Sequence, residues 1–253
     1  MKIVYCGFGR AGLECFYQLL SACSINIKDI LVFTHDAEEN DEFIKHLENN
    51  NIDYHKDSIN NYIKEVNNFN PDYLISVYYR FIIKKEVLEI VNYKAMNLHP
   101  SLLPAYRGTK SSVWALLNNE EKTGISFHYI NEKIDDGNIL LQRNININNN
   151  DTAYSLYHKL ISVFVQNFNS AFELLIDNDL GKNQVGKISY YKRELPYNGI
   201  RKFSEITYQE AEQFVKGMYY PPFKGAMFEK KDGTIVEVKF TNDLIKYESL
   251  IGK

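Results

Sequence analysis

The sequence has few cysteines, no long hydrophobic run and no excess of basic residues. Its three cysteines, Cys6, Cys15 and Cys23, are not spaced like metal ligands, so we expect buried thiols in a reducing compartment. No apolar stretch approaches the roughly 20 residues that a membrane-spanning helix requires. The short apolar run before Gly7 carries one lysine, which is not typical of a signal peptide. We therefore expect a cytoplasmic protein without a membrane partner.

Charged residues are almost balanced. The chain has 29 lysines and arginines against 32 aspartates and glutamates, which gives a formal net charge of −3. Domains that bind nucleic acid usually carry a clear basic surface, so we expect no nucleic-acid partner. A length of 253 residues with 45% hydrophobic residues is enough for one sizeable core and a smaller appendage.

Apolar runs that alternate with helical patterns predict an α/β fold. We expect a Rossmann-like, mostly parallel sheet with flanking helices, which forms a catalytic domain over residues 1–180. The character of the sequence changes near Gly181, and residues 181–253 are expected to form a small, β-rich C-terminal subdomain with a helix and a hairpin. The apolar runs predicted to be buried strands are residues 2–6, 30–33, 71–77 and 95–98.

Two polar residues stand side by side at the end of the fourth of these runs. Asn97 and His99 are two positions apart, so on a strand they project to the same side. Pro100 has no N–H for a sheet ladder and therefore predicts the start of a loop. An amide beside an imidazole suits acyl or formyl transfer, because the amide can stabilise an oxyanion and the imidazole can move a proton.

A turn after a later apolar strand supplies an acidic residue. Asp135 lies just before Gly137 and is well placed to orient His99 or to receive a proton. Each residue also has a plainer interpretation, in which Asn97 caps a turn, His99 is a satisfied buried histidine and Asp135 is an ordinary turn residue. His128, on the preceding strand, is interpreted as a packing residue.

The run Asn-Leu-His-Pro-Ser-Leu-Leu-Pro-Ala-Tyr-Arg-Gly at 97–108, followed by Ile-Asp-Asp-Gly at 134–137, resembles the formyltransferases that use 10-formyltetrahydrofolate. That family includes glycinamide ribonucleotide formyltransferase, methionyl-tRNA formyltransferase and the sugar N-formyltransferases. The resemblance implies that Asn97, His99 and Asp135 form the catalytic set. It also implies that 10-formyltetrahydrofolate is the formyl donor.

The resemblance extends to two stretches expected to bind the folate. Residues 78–83 are similar to the formyltransferase domain that acts on UDP-4-amino-4-deoxy-arabinose, where apolar residues contact the pterin largely through backbone groups. Loop N–H and C=O groups can read the amide-like edges of a pterin, although a simple core role is the alternative for this stretch. The expected folate-binding residues are Phe81, Ile82, Ile83, Asn131, Glu132, Lys133, Ile134 and Asp135.

A glycine-rich turn near the start of the chain supports a competing hypothesis. Gly7, Gly9 and Gly12 form a literal G-x-G-x-x-G between a predicted strand and helix, and Asp36 follows a second strand. This layout is typical of dinucleotide binding and predicts an NAD-dependent oxidoreductase as the alternative. Tight packing of strand and helix also favours glycine here. In either case the helix N-terminus suits an anion, such as a pyrophosphate near Gly9 and Arg10.

The expected acceptor is the amine of a nucleotide-linked sugar, and we predict a dTDP-4-amino-4,6-dideoxyhexose. The relatives that act on tRNA carry a C-terminal domain of roughly one hundred residues. The C-terminal segment here is shorter, which favours the sugar and leaves methionyl-tRNA as the alternative acceptor. Tyr220 and Phe223, beside two prolines, could stack a nucleobase or form a hydrophobic hinge. No metal ion is required, and exposed strand edges suggest a homodimer through the C-terminal hairpin. The expected substrate-binding residues are Gly9, Arg10, Tyr79, Arg107, Gly108, Lys110, Tyr220 and Phe223.

Overall fold

A computed structural model describes residues 1–22 and 25–252 of the protein, so Cys23 lies outside the described residues. The strands are β1 Ile3–Gly7, β2 Ile30–Phe33, β3 Tyr54–His55, β4 Tyr73–Val77, β5 Ala95–His99, β6 Arg107–Gly108, β7 Lys122–Tyr129, β8 Ile139–Asn146, β9 Tyr190–Tyr191, β10 Ile200–Lys202, β11 Ala226–Glu229 and β12 Ile235–Val238. The helices are α1 Gly9–Ala22, α2 Asp41–Asn49, α3 Ile63–Phe69, α4 Lys85–Ile90, α5 Ser111–Leu117, α6 Ala153–Ile176 and α7 Tyr208–Met218.

Seven strands form the main sheet in the order β3-β2-β1-β4-β5-β7-β8. The first five strands in that order are parallel neighbours, and β5 pairs with β7 in the antiparallel direction. Strands β1, β2 and β4 are buried along their whole length, as expected for continuous apolar runs in a parallel sheet. The predicted α/β fold with a mostly parallel sheet is confirmed.

The strand order reverses next to β1. The chain runs outward from β1 to β2 and β3, then returns to add β4 and β5 on the other side. In open α/β sheets, ligands bind in the crevice at the carboxyl ends of the strands near such a reversal. Strand β5 is parallel to β4, so its last residue, His99, lies at this edge of the sheet.

Packing divides the chain into two compact units that interleave along the sequence. One consists of residues 1–99, 125–143 and 161–187, and the other of residues 100–124, 144–160 and 188–253. The division predicted from the sequence, at residues 180 and 181, follows chain order and stays a prediction.

The second unit contains the small C-terminal sheet expected from the sequence. Its strands are in the order β10-β11-β12, and Phe203 stacks on Phe228 with ring centroids 4.5 Å apart in its core. Helix α7 begins with a capping box, in which Thr207 and Glu210 exchange hydrogen bonds. Strand β12 is an edge strand, and the homodimer through this hairpin stays a prediction that the molar mass in solution would test.

The two cysteines within the described residues are both buried. Cys6 and Cys15 are free thiols, and burial raises the pKa of each well above its usual range. Such thiols are poor nucleophiles, which agrees with the expected packing role. Across residues 1–22 and 25–252, no helix combines the length and hydropathy required to span a bilayer.

Candidate active site

Asn97 and His99 lie at the carboxyl end of β5, and both face residues of β7. In the antiparallel register, Asn97 is opposite His128 and His99 is opposite Ser126. Side chains alternate along a strand, and directly paired residues share a face. The four polar side chains therefore project from one face of the sheet. His99 is only 4% exposed, so its ring is held by the protein rather than by solvent.

Asp135 reaches the same face from the loop that follows β7. Its backbone is left-handed, with φ of 51°, and its carboxylate Oδ2 lies 3.4 Å from His99 Nδ1. The Asp135 side chain is only 9% exposed, which strengthens the attraction between a carboxylate and a protonated imidazole. The structure thus brings together the three residues that the sequence singled out as the catalytic set.

His128 completes this group, although the sequence suggested only packing for it. Its Nε2 lies 3.2 Å from Asn97 Nδ2 and 3.5 Å from Asp135 Oδ1. Its Nδ1 lies 2.8 Å from the carbonyl oxygen of Tyr129. The signal in the sequence was the alternation of residues along β7, which places His128 on the same face as Ser126.

Backbone contacts hold the loop that carries Asp135. Gln184 Nε2 donates to the carbonyl oxygens of Asp135 and Gly137, at 2.8 and 2.9 Å. Gly137 packs so closely on Tyr129 that an added Cβ would lie 1.9 Å from the Tyr129 carbonyl oxygen. The position of the Asp135 carboxylate is therefore determined by a tight backbone approach and by a side chain 49 residues away.

Comparison with known proteins identifies the family of this chain. Residues 22–171 match the family described as formyl transferase. Over 243 residues the chain is 36% identical to GDP-perosamine N-formyltransferase of Brucella melitensis, which covers 94% of this chain and 92% of that protein. The chain belongs to the formyltransferase family. The predicted enzyme class, a formyltransferase, is confirmed.

The chain is also similar to formyltransferases named for two different acceptors. The methionyl-tRNA formyltransferase of Fusobacterium nucleatum is 29% identical over 263 residues, covering 100% of this chain and 84% of that protein. The sugar 3N-formyltransferase WlaRD, solved in the presence of dTDP and 5-N-formyl-THF, is 25% identical with a TM-score of 0.75, covering 90% and 82%. The formylated folate in that structure agrees with the predicted folate donor.

The first stretch expected to bind folate in this formyltransferase follows β4. Ile83 is buried among the core residues of the first unit, whereas Ile82 is 67% exposed. The Ile82 carbonyl oxygen accepts a hydrogen bond from Asn60, and Phe81 contacts His35 and Tyr79 edge-on. The core interpretation thus fits the side chain of Ile83, whereas the side chain of Ile82 remains accessible to a ligand. Any ligand contact of Ile83 would be through its backbone.

The second stretch expected to bind folate runs from Asn131 to Ile134. Asn131 Oδ1 accepts a hydrogen bond from Lys133 N at 2.9 Å, and Tyr93 donates to Glu132 at 3.1 Å. The Ile134 side chain is exposed. These contacts shape a turn directly before Asp135, within the same unit as Asn97 and His99.

In the glycine-rich turn of this formyltransferase, backbone N–H groups donate hydrogen bonds to other parts of the protein. Gly9 N donates to the Oδ1 atom of Asn40 at 2.7 Å, and Phe8 N donates to the Val77 carbonyl. A Cβ on Gly12 would lie 3.0 Å from the Gly7 backbone, so this glycine permits close packing of α1 on β1. The turn serves packing, and the NAD-dependent alternative gains no support from it.

Two other residues near this turn were expected to bind substrate. The Tyr79 hydroxyl donates to the Asp57 carbonyl oxygen at 2.8 Å and accepts from Ile59 N at 3.0 Å. Arg10 is exposed and pairs with Glu14 along α1. The N–H of Gly9 and the hydroxyl of Tyr79 are thus engaged within the protein, and the partly exposed guanidinium of Arg10 is paired with Glu14.

Arg107, Gly108 and Lys110 belong to the second unit. Strand β6 pairs in parallel with β9, and Gly108 has φ of +91°, with an added Cβ only 2.2 Å from the Tyr191 carbonyl oxygen. Burial lowers the pKa of Lys110, and the nearby charge of Arg193 lowers it further. The β6–β9 pair therefore brings two cations together.

Tyr220 and Phe223 also belong to the second unit and line a groove of about 220 Å³. Phe223 is 60% exposed, whereas Tyr220 packs edge-on against Tyr154 and Tyr157. The remaining lining residues are Tyr219, Pro221, Pro222, Gly225, Lys239 and Phe240. This groove presents flat apolar surfaces beside one lysine.

Proposed function

We propose that this formyltransferase moves the formyl group of 10-formyltetrahydrofolate to a primary amine on a nucleotide-linked amino sugar. The observation that carries the proposal is the buried group formed by Asn97, His99 and Asp135. Support for a sugar acceptor comes from similarity over 94% of the chain to an enzyme named for GDP-perosamine.

The geometry suits nucleophilic attack by an unprotonated amine on the formyl carbon. The carbonyl oxygen then becomes an oxyanion, which an N–H of Asn97 and a protonated His99 stabilise. Asp135 holds the His99 ring through Nδ1 and favours its charged form. When the bond from the formyl carbon to the folate nitrogen breaks, its electron pair stays on that nitrogen, which takes a proton. The amine loses one proton, so the products are a formamide and tetrahydrofolate.

Two nucleotides are in question for the acceptor. The sequence predicts a dTDP-4-amino-4,6-dideoxyhexose, and WlaRD, a sugar formyltransferase, was solved with dTDP. The relative of 36% identity is named for a GDP-linked sugar instead. We propose a nucleoside diphosphate in either case, because the hydrogen bonds from Thr109 to Tyr191 and Lys192 hold the segments that carry Lys110 and Arg193 side by side. Within the described residues neither of them forms an ion pair.

The test is release of tetrahydrofolate from 10-formyltetrahydrofolate with a panel of acceptors. The panel contains GDP-perosamine, dTDP-linked 3-amino and 4-amino sugars, a UDP-linked amino sugar and charged initiator tRNA. We expect turnover with one class of sugar nucleotide and none with the tRNA. Turnover with the tRNA alone would overturn the sugar proposal and leave the catalytic group in place. The His99→Asn variant provides the blank for uncatalysed release.

We also propose that the groove around Tyr220 and Phe223 holds the base of the nucleotide. Stacking of a base on an aromatic ring contributes about 1–3 kcal/mol. Replacing either residue with alanine should therefore raise the KM for the sugar nucleotide roughly 5- to 150-fold, while the KM for the folate stays unchanged. Ile245→Ala is the matched control for Phe223→Ala, because Ile245 is 66% exposed against 60% for Phe223, lies in the same unit and does not line the groove. An unchanged sugar-nucleotide KM in both variants would assign the groove to packing.

A further inference from the structure

His128 lies beside Asn97 and Asp135, but the mechanism proposed above does not use it. It is 2% exposed, and it is paired with Asn97 in the strand register. Its two ring nitrogens face different groups. Nδ1 faces the Tyr129 carbonyl oxygen at 2.8 Å, and Nε2 faces Asn97 Nδ2 at 3.2 Å.

These two contacts determine the tautomer of the ring. A carbonyl oxygen only accepts hydrogen bonds, so the short contact with Tyr129 requires the proton on Nδ1. In the neutral ring, Nε2 then carries a lone pair and acts as an acceptor. The group facing it must be a donor, which places the nitrogen of the Asn97 carboxamide toward His128 and its oxygen away.

The orientation of Asn97 matters for the reaction proposed above. A carboxamide nitrogen carries two N–H donors, so one of them serves His128 and the second remains for an oxyanion. If the carboxamide were flipped, its oxygen would face the lone pair of His128 and its nitrogen would move away from this position. An oxyanion site needs a donor that is oriented before the charge develops.

We propose that His128 is a positioning residue that selects the productive orientation of the Asn97 carboxamide. This inference rests on the proposed function, because it assigns an oxyanion role to Asn97. It leaves proton transfer to His99. Asp135 Oδ1 lies 3.5 Å from His128 Nε2, but in this tautomer His128 has no proton on Nε2 to donate. The hydrogen-bonding partner of the carboxylate is therefore His99.

Two substitutions separate the contact with Asn97 from the contact with Tyr129. In His128→Gln, the longer carboxamide can place an acceptor near the position of Nε2. In His128→Asn, the shorter side chain can still donate to the Tyr129 carbonyl but ends short of Asn97. We expect kcat to fall about 10- to 100-fold in His128→Asn, less than the 10²–10³-fold loss typical of deleting an oxyanion donor. His128→Gln should restore kcat to within about threefold, and the KM for the folate should change little in both.

A double-mutant cycle distinguishes positioning from general support of the fold. In the Asn97→Ala background there is no carboxamide to orient, so His128→Asn should lower kcat less than twofold further. An equal loss in both backgrounds, or wild-type kcat in His128→Asn, overturns the proposal. Such a result leaves the proposed function intact, because the wild-type enzyme still turns over its sugar nucleotide.

The tautomer can be measured without any substrate. Two-dimensional NMR of the wild-type protein with ¹⁵N-labelled histidine separates Nδ1–H from Nε2–H rings by their nitrogen shifts. The signal that disappears in His128→Gln identifies His128. We expect the Nδ1–H form, and an Nε2–H ring would overturn the proposal even if every activity assay were silent.

Discussion

Replacing His99 with asparagine should lower kcat by about 10²–10⁴-fold, the range that a positioned acid or base contributes. The ring of His99 is buried and held through Nδ1 by Asp135 at 3.4 Å. Asparagine neither carries a positive charge nor moves a proton near neutral pH. Replacing Asn97 with alanine should lower kcat by about 10²–10³-fold, because it deletes one oxyanion donor.

The measurement combines steady-state release of tetrahydrofolate with equilibrium binding of a folate. Both variants should bind the folate with nearly the wild-type Kd, since the loss concerns the transition state rather than the ground state. His46→Asn and Asn68→Ala are matched controls on α2 and α3, and neither should change kcat. Near-normal turnover in His99→Asn or in Asn97→Ala would remove that residue from the catalytic set.

Replacing Gly137 with alanine should lower both activity and stability. The added Cβ would lie 1.9 Å from the Tyr129 carbonyl oxygen, so the backbone on one side of this contact must move. Asp135 is two residues away, and a displacement of about 1 Å in an active site can lower the rate about 10²-fold. We expect kcat to fall by about that factor, and the free energy of unfolding to fall by about 1–3 kcal/mol from backbone strain.

Gly233→Ala is the control for this substitution. Gly233 has φ of +83°, but an added Cβ would meet no atom within 4 Å. The control should lower the free energy of unfolding by about 1–2 kcal/mol, from conformation alone, and leave kcat unchanged. Thermal unfolding and turnover are measured on both variants. Wild-type kcat in Gly137→Ala would show that this contact does not determine the position of Asp135.

Local spacing was enough to predict the part of the site that lies on one strand. Asn97 and His99 are two residues apart, and the period of a strand places them on one face whatever the neighbouring strands are. Pro100 indicates where the loop begins. The approach of Asp135, by contrast, was expected from the resemblance, because contact across 36 positions depends on how the chain returns.

The role proposed for His128 depends on which strand pairs with β7. Alternation along β7 tells which residues share a face with His128, but it does not tell which strand lies beside them. A shift of one residue in the register between β5 and β7 would turn His128 to the other face of the sheet. Sequence alone therefore left packing as the natural interpretation.

The glycine-rich turn shows a second limit of local patterns. Its G-x-G-x-x-G spacing and the following Asp36 satisfy the sequence criteria of a dinucleotide site. In the structure, however, the Gly9 N–H donates a hydrogen bond to Oδ1 of Asn40, a residue 31 positions away. That N–H is therefore engaged within the protein. No window of sequence around the glycines contains that information.

The interleaving of the two units has a consequence for how such a chain can be altered by recombination. Each unit is assembled from three separate segments, so no single crossover exchanges one unit for that of a relative. The residues proposed to bind the nucleotide, at 107–110 and 220–223, are separated by two segments of the other unit. A new acceptor specificity is therefore expected to arise by coordinated point substitutions in distant loops rather than by transfer of a terminal module.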